Sequence, residues 1–271
     1  MPNIWTLYNQ NILPALAGIL TCRLLRSAEE MKQHSLRNIK ALLFDVFGTC
    51  VDWRTAIIND GTVLERKYEL KQIDWAAFAD AWRGLYHPQM ELVRSGQRPW
   101  VKLDVLHRES LSKVTEEFGI SGLSSDILDE FNRVWHRLDP WPDTVAGLRR
   151  LKNKFIIAPN SNGHIALIVA MAKRASIPWD AVLGAEIAHA YKPMPEEYQR
   201  NVAALDLAPE QVMMVAAHNY DLVGASKCGL RTAFVLRRHE FGPGQTSDLG
   251  PAQDYDINAL DFEDLATQLG A

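Results

Sequence analysis

The chain has 271 residues, 47% of them hydrophobic, which suits one sizeable globular domain or a core with a smaller insertion. Its formal net charge of −4 leaves no basic excess to neutralise a phosphate backbone, so we do not expect nucleic acid as a partner. Three widely spaced cysteines without a CxxC pair argue against a disulfide framework and a cysteine zinc site, and favour a reducing, cytoplasmic location.

The first residues carry an apolar run at 12–20 that resembles part of a signal peptide. No Lys or Arg precedes Arg23, and the run is far shorter than the roughly 20 residues that span a bilayer. We therefore expect neither secretion nor membrane attachment. Met31 lies shortly before the first predicted strand, so we treat residues 1–37 as an N-terminal extension that can lie outside the fold.

Five short apolar runs follow along the chain, and each is typical of a buried strand of a parallel sheet. The first begins at Ile39 and ends at Asp45; the others cover residues 155–158, 181–184, 212–217 and 232–236. Segments with helical character separate them. Strands that alternate with helices predict an α/β fold with a doubly wound, Rossmann-like parallel sheet.

A long interval separates the first two predicted strands, and its apolar residues recur at helical spacing. These residues include Leu64, Tyr68, Trp75, Phe78, Ala79, Trp82 and Leu85, and the turn-rich LDPWPDT ends the interval. We predict a helical cap over residues 55–140, inserted after the first strand into a core of residues 38–54 and 141–271. Such a cap would cover the sheet edge and exclude water.

Ligands of doubly wound sheets bind outside the carboxyl ends of the strands, so the residues that follow each strand are candidates for chemistry. Four positions stand out there: Asp45 after the first strand, Ser161 and Asn162 after the second, Lys192 after the third, and residues 218–221 after the fourth. A carboxylate at a covered strand end is suited to act as a nucleophile. An isolated Asp after a strand more often caps the next loop.

Four motifs in this order resemble the haloacid dehalogenase superfamily, and within it the type II L-2-haloacid dehalogenases. They are DVFGT at 45–49, NSNG at 160–163, YKP at 191–193 and AHNYD at 217–221, and the resemblance spans residues 39–236. It implies that Asp45 displaces the halide of a small L-2-halo acid. Hydrolysis of the resulting aspartyl ester would release a D-2-hydroxy acid. The substrate and halide are the expected partners, and the resemblance leaves a homodimer open.

Two positions separate this reading from a phosphatase of the same superfamily. Phosphatases carry a general acid two residues after the nucleophile, where this chain has Phe47, and a metal-binding acid where it has Ala217. Halide leaves as a weak base and needs no proton, whereas Mg²⁺ needs several oxygen ligands. We therefore expect neither metal nor cofactor. A phosphatase, a hydrolase of a non-halogenated small molecule, and a binding protein that kept the fold are the alternatives.

The resemblance also assigns supporting roles. Lys192 would hold Asp45 ionised, although a lysine chosen blindly is a solvated surface residue. Ser161 would bind the substrate carboxylate, and Asn162 would help to form the halide pocket. The alternative interpretation is that these two residues only form a turn or a helix N-cap. The predicted substrate-site residues are Phe47, Thr49, Ser161, Asn162, Tyr198 and His218, with Thr49 bonding to Asp45.

The family supplies an arginine from the helical insertion, and we choose Arg83 over Arg94 and Arg98. The alternative is a solvated helix arginine.

The fourth motif departs from the best-known pattern. Asp221 is retained and would orient or deprotonate the hydrolytic water, whereas His218 replaces Asn and Tyr220 replaces Trp. A histidine there either assists the water or only makes structural hydrogen bonds.

Overall fold

The computed structural model describes residues 36–271. The chain divides into two compact units, Met1–Ile39 and Lys40–Ala271. Of the first unit only residues 36–39 are described, where the Ile39 amide donates to the Leu36 carbonyl at 3.3 Å. The predicted extension and its apolar run at 12–20 lie outside the described residues, except for the last two residues of the extension. No helix in the described part is both long and apolar enough to cross a membrane.

A six-stranded sheet with every neighbouring pair parallel forms the centre of the second unit, which confirms the predicted fold class. Its strands lie in the order β5-β4-β1-β6-β7-β8. Their bounds are β1 Ala41–Phe44, β4 Ile156–Ser161, β5 Leu183–Gly184, β6 Val212–Ala216, β7 Arg231–Val235 and β8 Ile257–Ala259. β1 lies between β4 and β6, and the strands that follow it in the chain lie on both sides of it. Because these strands are parallel, the carboxyl ends of β1, β4 and β6 meet at one edge of the sheet.

Helices pack on both sides of the sheet because side chains of β1 alternate between its faces. Leu43 points into the core that contains Tyr198 and Leu222, whereas the Phe44 ring packs edge-on against Phe262 at 5.4 Å. The helices outside the insertion are α6 Thr144–Lys152, α7 Ile165–Ala175, α8 Ala185–Ala188, α9 Pro195–Ala203, α10 Asn219–Lys227 and α11 Phe262–Gln268.

A helical insertion, residues 53–138, lies between two short antiparallel strands, β2 Val51–Asp52 and β3 Asp139–Pro140. It contains α1 Trp53–Lys67, α2 Trp75–Gly84, α3 Tyr86–Arg94, α4 Leu103–Glu117, α5 Ser125–Asn132 and a 3₁₀ turn at Arg133–His136. These helices match the periodicity of the sequence, whereas the two-residue strands are too short to show alternation. Residues 40–271 form one compact unit, so the division into core and cap stays a prediction.

Candidate active site

Asp45 follows β1 directly and extends its pairing with β6, because its amide donates to the Val215 carbonyl at 2.9 Å. Asp45 is 5% exposed. Its Oδ2 accepts from Thr49 Oγ1 at 2.7 Å and lies 3.0 Å from His218 Nδ1. Its Oδ1 accepts from Lys192 Nζ at 2.8 Å. The predicted partners Thr49 and Lys192 therefore both contact the carboxylate, and His218 joins them.

The turn after Asp45 depends on Gly48. Its φ of +83° lies in the region that L side chains rarely adopt, and its amide donates to the Val51 carbonyl at 3.1 Å. A Cβ added to Gly48 would lie 2.0 Å from Glu240 Oε1. The glycine of the first motif therefore makes room for a carboxylate that the sequence analysis did not single out.

Lys192 is completely buried between two carboxylates. Besides Asp45, its Nζ bonds to Asp221 Oδ2 at 2.5 Å, and Tyr198 donates to Asp221 Oδ1 at 2.7 Å. Burial alone would lower the pKa of Lys192, but the charges of Asp221 and Asp45 raise this pKa well above its usual value. Lys192 thus stays an ammonium ion although its side chain is completely buried.

The two carboxylates respond differently to that ammonium ion. Burial disfavours an ionised Asp45, but Lys192 and His218 outweigh it and hold the pKa of Asp45 well below its ordinary value. Burial and the negative charge of Asp45 raise the pKa of Asp221. Of the two, Asp45 is therefore the carboxylate whose anionic form its surroundings favour more strongly.

His218 forms a second buried ion pair. Its Nε2 lies 2.9 Å from Glu240 Oε2, and Trp53 Nε1 donates to Glu240 Oε1 at 3.1 Å. Burial would lower the pKa of His218, but Glu240 and then Asp45 raise this pKa to about 10. His218 is therefore an imidazolium at neutral pH and bridges Asp45 to Glu240.

Sequence reasoning missed Glu240 and Trp53. Glu240 lies shortly after β7, which ends at the same sheet edge as β6, so the strand-end rule would have found it had it been applied to the last predicted strand. Trp53 opens α1 and carries no local signal beyond its size.

Arg83 extends from α2 of the helical insertion and is 8% exposed. Its guanidinium carbon lies 3.9 Å from the centre of the Tyr86 ring, and its Nε and Nη1 are buried without a hydrogen-bond partner among residues 36–271. Arg98 instead pairs with Glu109, and Arg94 donates to the Lys192 carbonyl at 2.9 Å. Of the three arginines considered, Arg83 is the one with buried donors still unpaired.

A cavity of about 420 Å³ lies beside these cations. Its lining residues are Trp53, Asp80, Arg83, Gly84, His87, His218, Tyr220, Phe241, Ser247 and Asp248. The two acids are already engaged: Asp80 accepts from Arg54 at 2.7 Å, and Asp248 accepts from the Asn219 amide at 2.9 Å. Burial, followed by Arg83, lowers the pKa of His87 to about 4, so this ring is neutral. The cavity is thus suited to a small anion.

The second motif connects the site to the insertion. Asn162 donates to the Tyr86 hydroxyl at 3.0 Å and accepts from the Lys192 amide at 2.9 Å. Ser161 ends β4, and its Oγ accepts from the Gly163 amide at 3.0 Å. Neither residue caps a helix, because the N-cap of α7 is His164. Their contacts with a substrate remain predictions.

Comparison with known proteins shows which family the chain belongs to. A family model described as haloacid dehalogenase-like hydrolase matches residues 39–229. The chain belongs to this family.

The chain is also similar to individual proteins of known activity or structure. The (S)-2-haloacid dehalogenase of Xanthobacter autotrophicus is 28% identical over 73% of this chain and 76% of its own length. The (S)-2-haloacid dehalogenase 4A of Burkholderia cepacia is 25% identical over 76% of this chain and 89% of its own. Among solved structures, the defluorinating L-2-haloacid dehalogenase Rha0230 is 49% identical, with a TM-score of 0.84 over 86% of this chain and 96% of its own. The L-2-haloacid dehalogenase PA0810 is 46% identical, with a TM-score of 0.82 over 86% and 99%.

Phe47 and Ala217 are the two residues that the motif resemblance places where related phosphatases would carry acids. The Phe47 ring packs edge-on against Trp135 at 5.6 Å and is buried, so it forms an apolar wall. Ala217 donates its amide to Thr49 Oγ1 at 2.9 Å. Both oxygens of Asp45 are taken by Lys192, Thr49 and His218. Two cations this close to the carboxylate disfavour a third, such as Mg²⁺.

Proposed function

We propose that this haloacid dehalogenase-like hydrolase converts short L-2-halo acids to D-2-hydroxy acids and halide, with Asp45 as the nucleophile. The observation that carries the proposal is the electrostatics of Asp45. Lys192 and His218 keep this buried carboxylate ionised, while Arg83, which has two buried donors unpaired, lines an adjacent cavity. The curated relatives and solved neighbours named above, which are 2-haloacid dehalogenases, support the same reaction.

In the first step, an oxygen of Asp45 attacks C2 of the substrate as the carbon–halogen bond breaks. The bonding electrons leave with the halide, and a backside attack inverts C2. Halide is a weak base, so no proton donor is needed, which agrees with Phe47 at the position of the phosphatase acid. Arg83 would stabilise the departing charge, and Ser161 and Asn162 would hold the substrate carboxylate and the halide side of the pocket.

In the second step, water adds to the carbonyl carbon of the Asp45 ester. The bond from this carbon to the ester oxygen then breaks, so the hydroxy acid keeps an oxygen that came from Asp45. Esterification removes the Asp45 charge, one of the causes that raise the pKa of His218. The His218 ring then releases its proton into the cavity more readily than before the attack, although Glu240 still favours the charged ring, and in its neutral form it would accept a proton from the attacking water. Asp221 has both oxygens engaged by Lys192 and Tyr198, so its main role is to hold Lys192.

We further propose that residues 55–140 act as a cap over this chemistry. Tyr86 and Arg83, both from the insertion, meet Asn162 and the cavity at the sheet edge. Water would be displaced when the insertion closes on a bound substrate. The substrate and halide are the partners this mechanism needs.

A halide-release screen tests the reaction. Chloro-, bromo- and fluoroacetate and both enantiomers of 2-chloropropionate are incubated with enzyme, with and without EDTA, and p-nitrophenyl phosphate with Mg²⁺ serves as the phosphatase control. We expect the L enantiomer to be consumed, the D enantiomer to persist, and EDTA to leave the rate unchanged. Fluoroacetate is included because a 49% identical neighbour is a defluorinating enzyme. Phosphate release that requires Mg²⁺, without halide release, would overturn the proposal.

Isotope labelling tests the ester. In a single turnover in ¹⁸O-water with enzyme in excess, the hydroxy acid should carry unlabelled oxygen while ¹⁸O enters the peptide that contains Asp45. Label in the first hydroxy acid, with none in that peptide, would mean that water attacks the substrate directly.

A further inference from the structure

Three side chains of the kinds that bind metals meet where the insertion contacts the core, and none of them is among the hydrogen-bond partners of Asp45. Asp104 belongs to α4 and His136 to the 3₁₀ turn of the insertion, whereas His164 precedes α7. His136 Nε2 lies 2.7 Å and His164 Nε2 lies 3.6 Å from Asp104 Oδ2. One ligand atom from each of the three residues lies within 4.8 Å of the other two.

The hydrogen bonding of this cluster is incomplete. His164 is 5% exposed, and its Nδ1 has no hydrogen-bond partner within the described part of the chain. Its Nε2 makes no closer polar contact there than the 3.6 Å approach to Asp104. Asp104 Oδ1 is also buried without a partner in that part. Buried polar atoms are nearly always paired, so this cluster keeps hydrogen-bonding capacity that its own three side chains do not use.

The donor set identifies the kind of ligand. Two imidazoles and one carboxylate suit Zn²⁺ and similar divalent transition metals, which bind nitrogen and oxygen at about 2.0–2.2 Å. Ligand atoms at the corners of such a tetrahedron lie about 3.4 Å apart. The 3.6 Å contact of His164 already fits this spacing, and the His136 ring needs to move by about 0.7 Å from Asp104.

The charges around the cluster are compatible with a cation. Lys102 is the nearby cation, and it is paired with Glu186 at 2.8 Å. Because Lys102 is paired with Glu186, it does not form an ion pair with Asp104. A bound cation would offset the negative charge of Asp104.

We propose that Asp104, His136 and His164 form a binding site for a divalent transition-metal ion, with Zn²⁺ the best match, that links the helical insertion to the core. The site is separate from Asp45, and the ion takes no part in the proposed displacement. Three protein ligands leave one coordination position for water. Because an ion bound by the folded state alone stabilises that state, its effect is on the free energy of unfolding.

The test uses the full chain, treated with EDTA and then freed of it, with ZnCl₂ and CoCl₂ as probes. Isothermal titration should give one Zn²⁺ per chain, and Co²⁺ should produce the intense visible absorption of a four-coordinate site. At a free Zn²⁺ concentration of about 100 times Kd, the Tm should rise by about 5–10 °C. No Zn²⁺ binding at 100 µM would overturn the proposal.

Two variants and one control locate the site. Asp104→Asn can still accept the hydrogen bond from His136 but loses the charge, and His164→Gln removes one imidazole. Each variant should bind Zn²⁺ at least about 100-fold more weakly than the original chain, and Zn²⁺ should no longer raise its Tm. His239→Gln, which changes an exposed histidine, should bind as the original chain does. If either folded site variant bound Zn²⁺ as tightly as the control, or if the His239 change removed binding, the ion would lie elsewhere and the assignment would fail.

Discussion

Replacement of Glu240 by Gln tests the electrostatic core of the site. Glu240 is buried, contacts His218 Nε2 through both oxygens, and accepts from Trp53. Gln has the same shape and keeps an oxygen for Trp53, so the change removes mainly the negative charge. His218 would then share its proton with Asp45 alone.

The magnitude follows from the pKa of His218, which rises from 6.5 to about 10 in the folded chain. At about 1.4 kcal/mol for each pKa unit, this rise corresponds to roughly 5 kcal/mol of stabilisation. Glu240 and Asp45 both contribute to it, with Glu240 the larger of the raising causes, so we assign about 2–3 kcal/mol to Glu240. Because the folded state binds this proton more tightly, the stabilisation is complete below pH 6.5 and is lost as the pH rises toward 10.

Urea unfolding at several pH values between 6 and 9.5 measures the effect. Glu240→Gln should lower the free energy of unfolding by about 2–3 kcal/mol at pH 6, and by much less at pH 9.5. Glu117→Gln, which changes an exposed glutamate, is the matched control and should stay within about 0.5 kcal/mol throughout. If Glu240→Gln lowered the free energy of unfolding equally at pH 6 and pH 9.5, the inference that His218 is charged would be refuted.

Three further changes follow from the same geometry. Arg83→Ala should lower kcat for halide release by about 100-fold or more, whereas Arg98→Ala should change it less than about twofold; equal effects would mean that the wrong arginine was chosen. Gly48→Ala should destabilise the fold by at least about 2 kcal/mol in urea unfolding, because it forces a strained φ and displaces Glu240, and a neutral result would contradict both. His218→Asn should accumulate the ester of Asp45 by mass spectrometry more than Asp221→Asn does, and the reverse order would assign the water to Asp221.

The main strands could be read from the sequence because strands buried on both faces are continuous apolar runs. β1 and β6 show this best, since every one of their residues is buried. β8 was not predicted, because it has only three residues and its middle residue, Asn258, is exposed. The residues 160–161, expected to follow a strand, end β4 instead, because their pairing with β5 prolongs the strand.

Some contacts around Asp45 could also be predicted from the sequence, and others could not. Thr49 lies four residues away and Lys192 follows a motif, so their positions could be predicted from local pattern and strand order. Glu240 contacts His218 from a loop 22 residues further on, and only the fold shows that it is buried. An acidic residue in a loop is usually solvated, and the one sequence signal for Glu240 is its position shortly after the strand at 231–235.

The charges of the site explain why the proposed reaction needs different cations at different times. Before attack, the negative charge lies on Asp45, where Lys192 and His218 stabilise it. These contacts hold the nucleophile in place but lose strength as its charge moves away. During displacement the charge passes to the halide, so only a cation on the substrate side gains strength in the transition state. Arg83, with two buried donors unpaired, is the group suited to that role, and its loss should therefore lower kcat more than it raises KM.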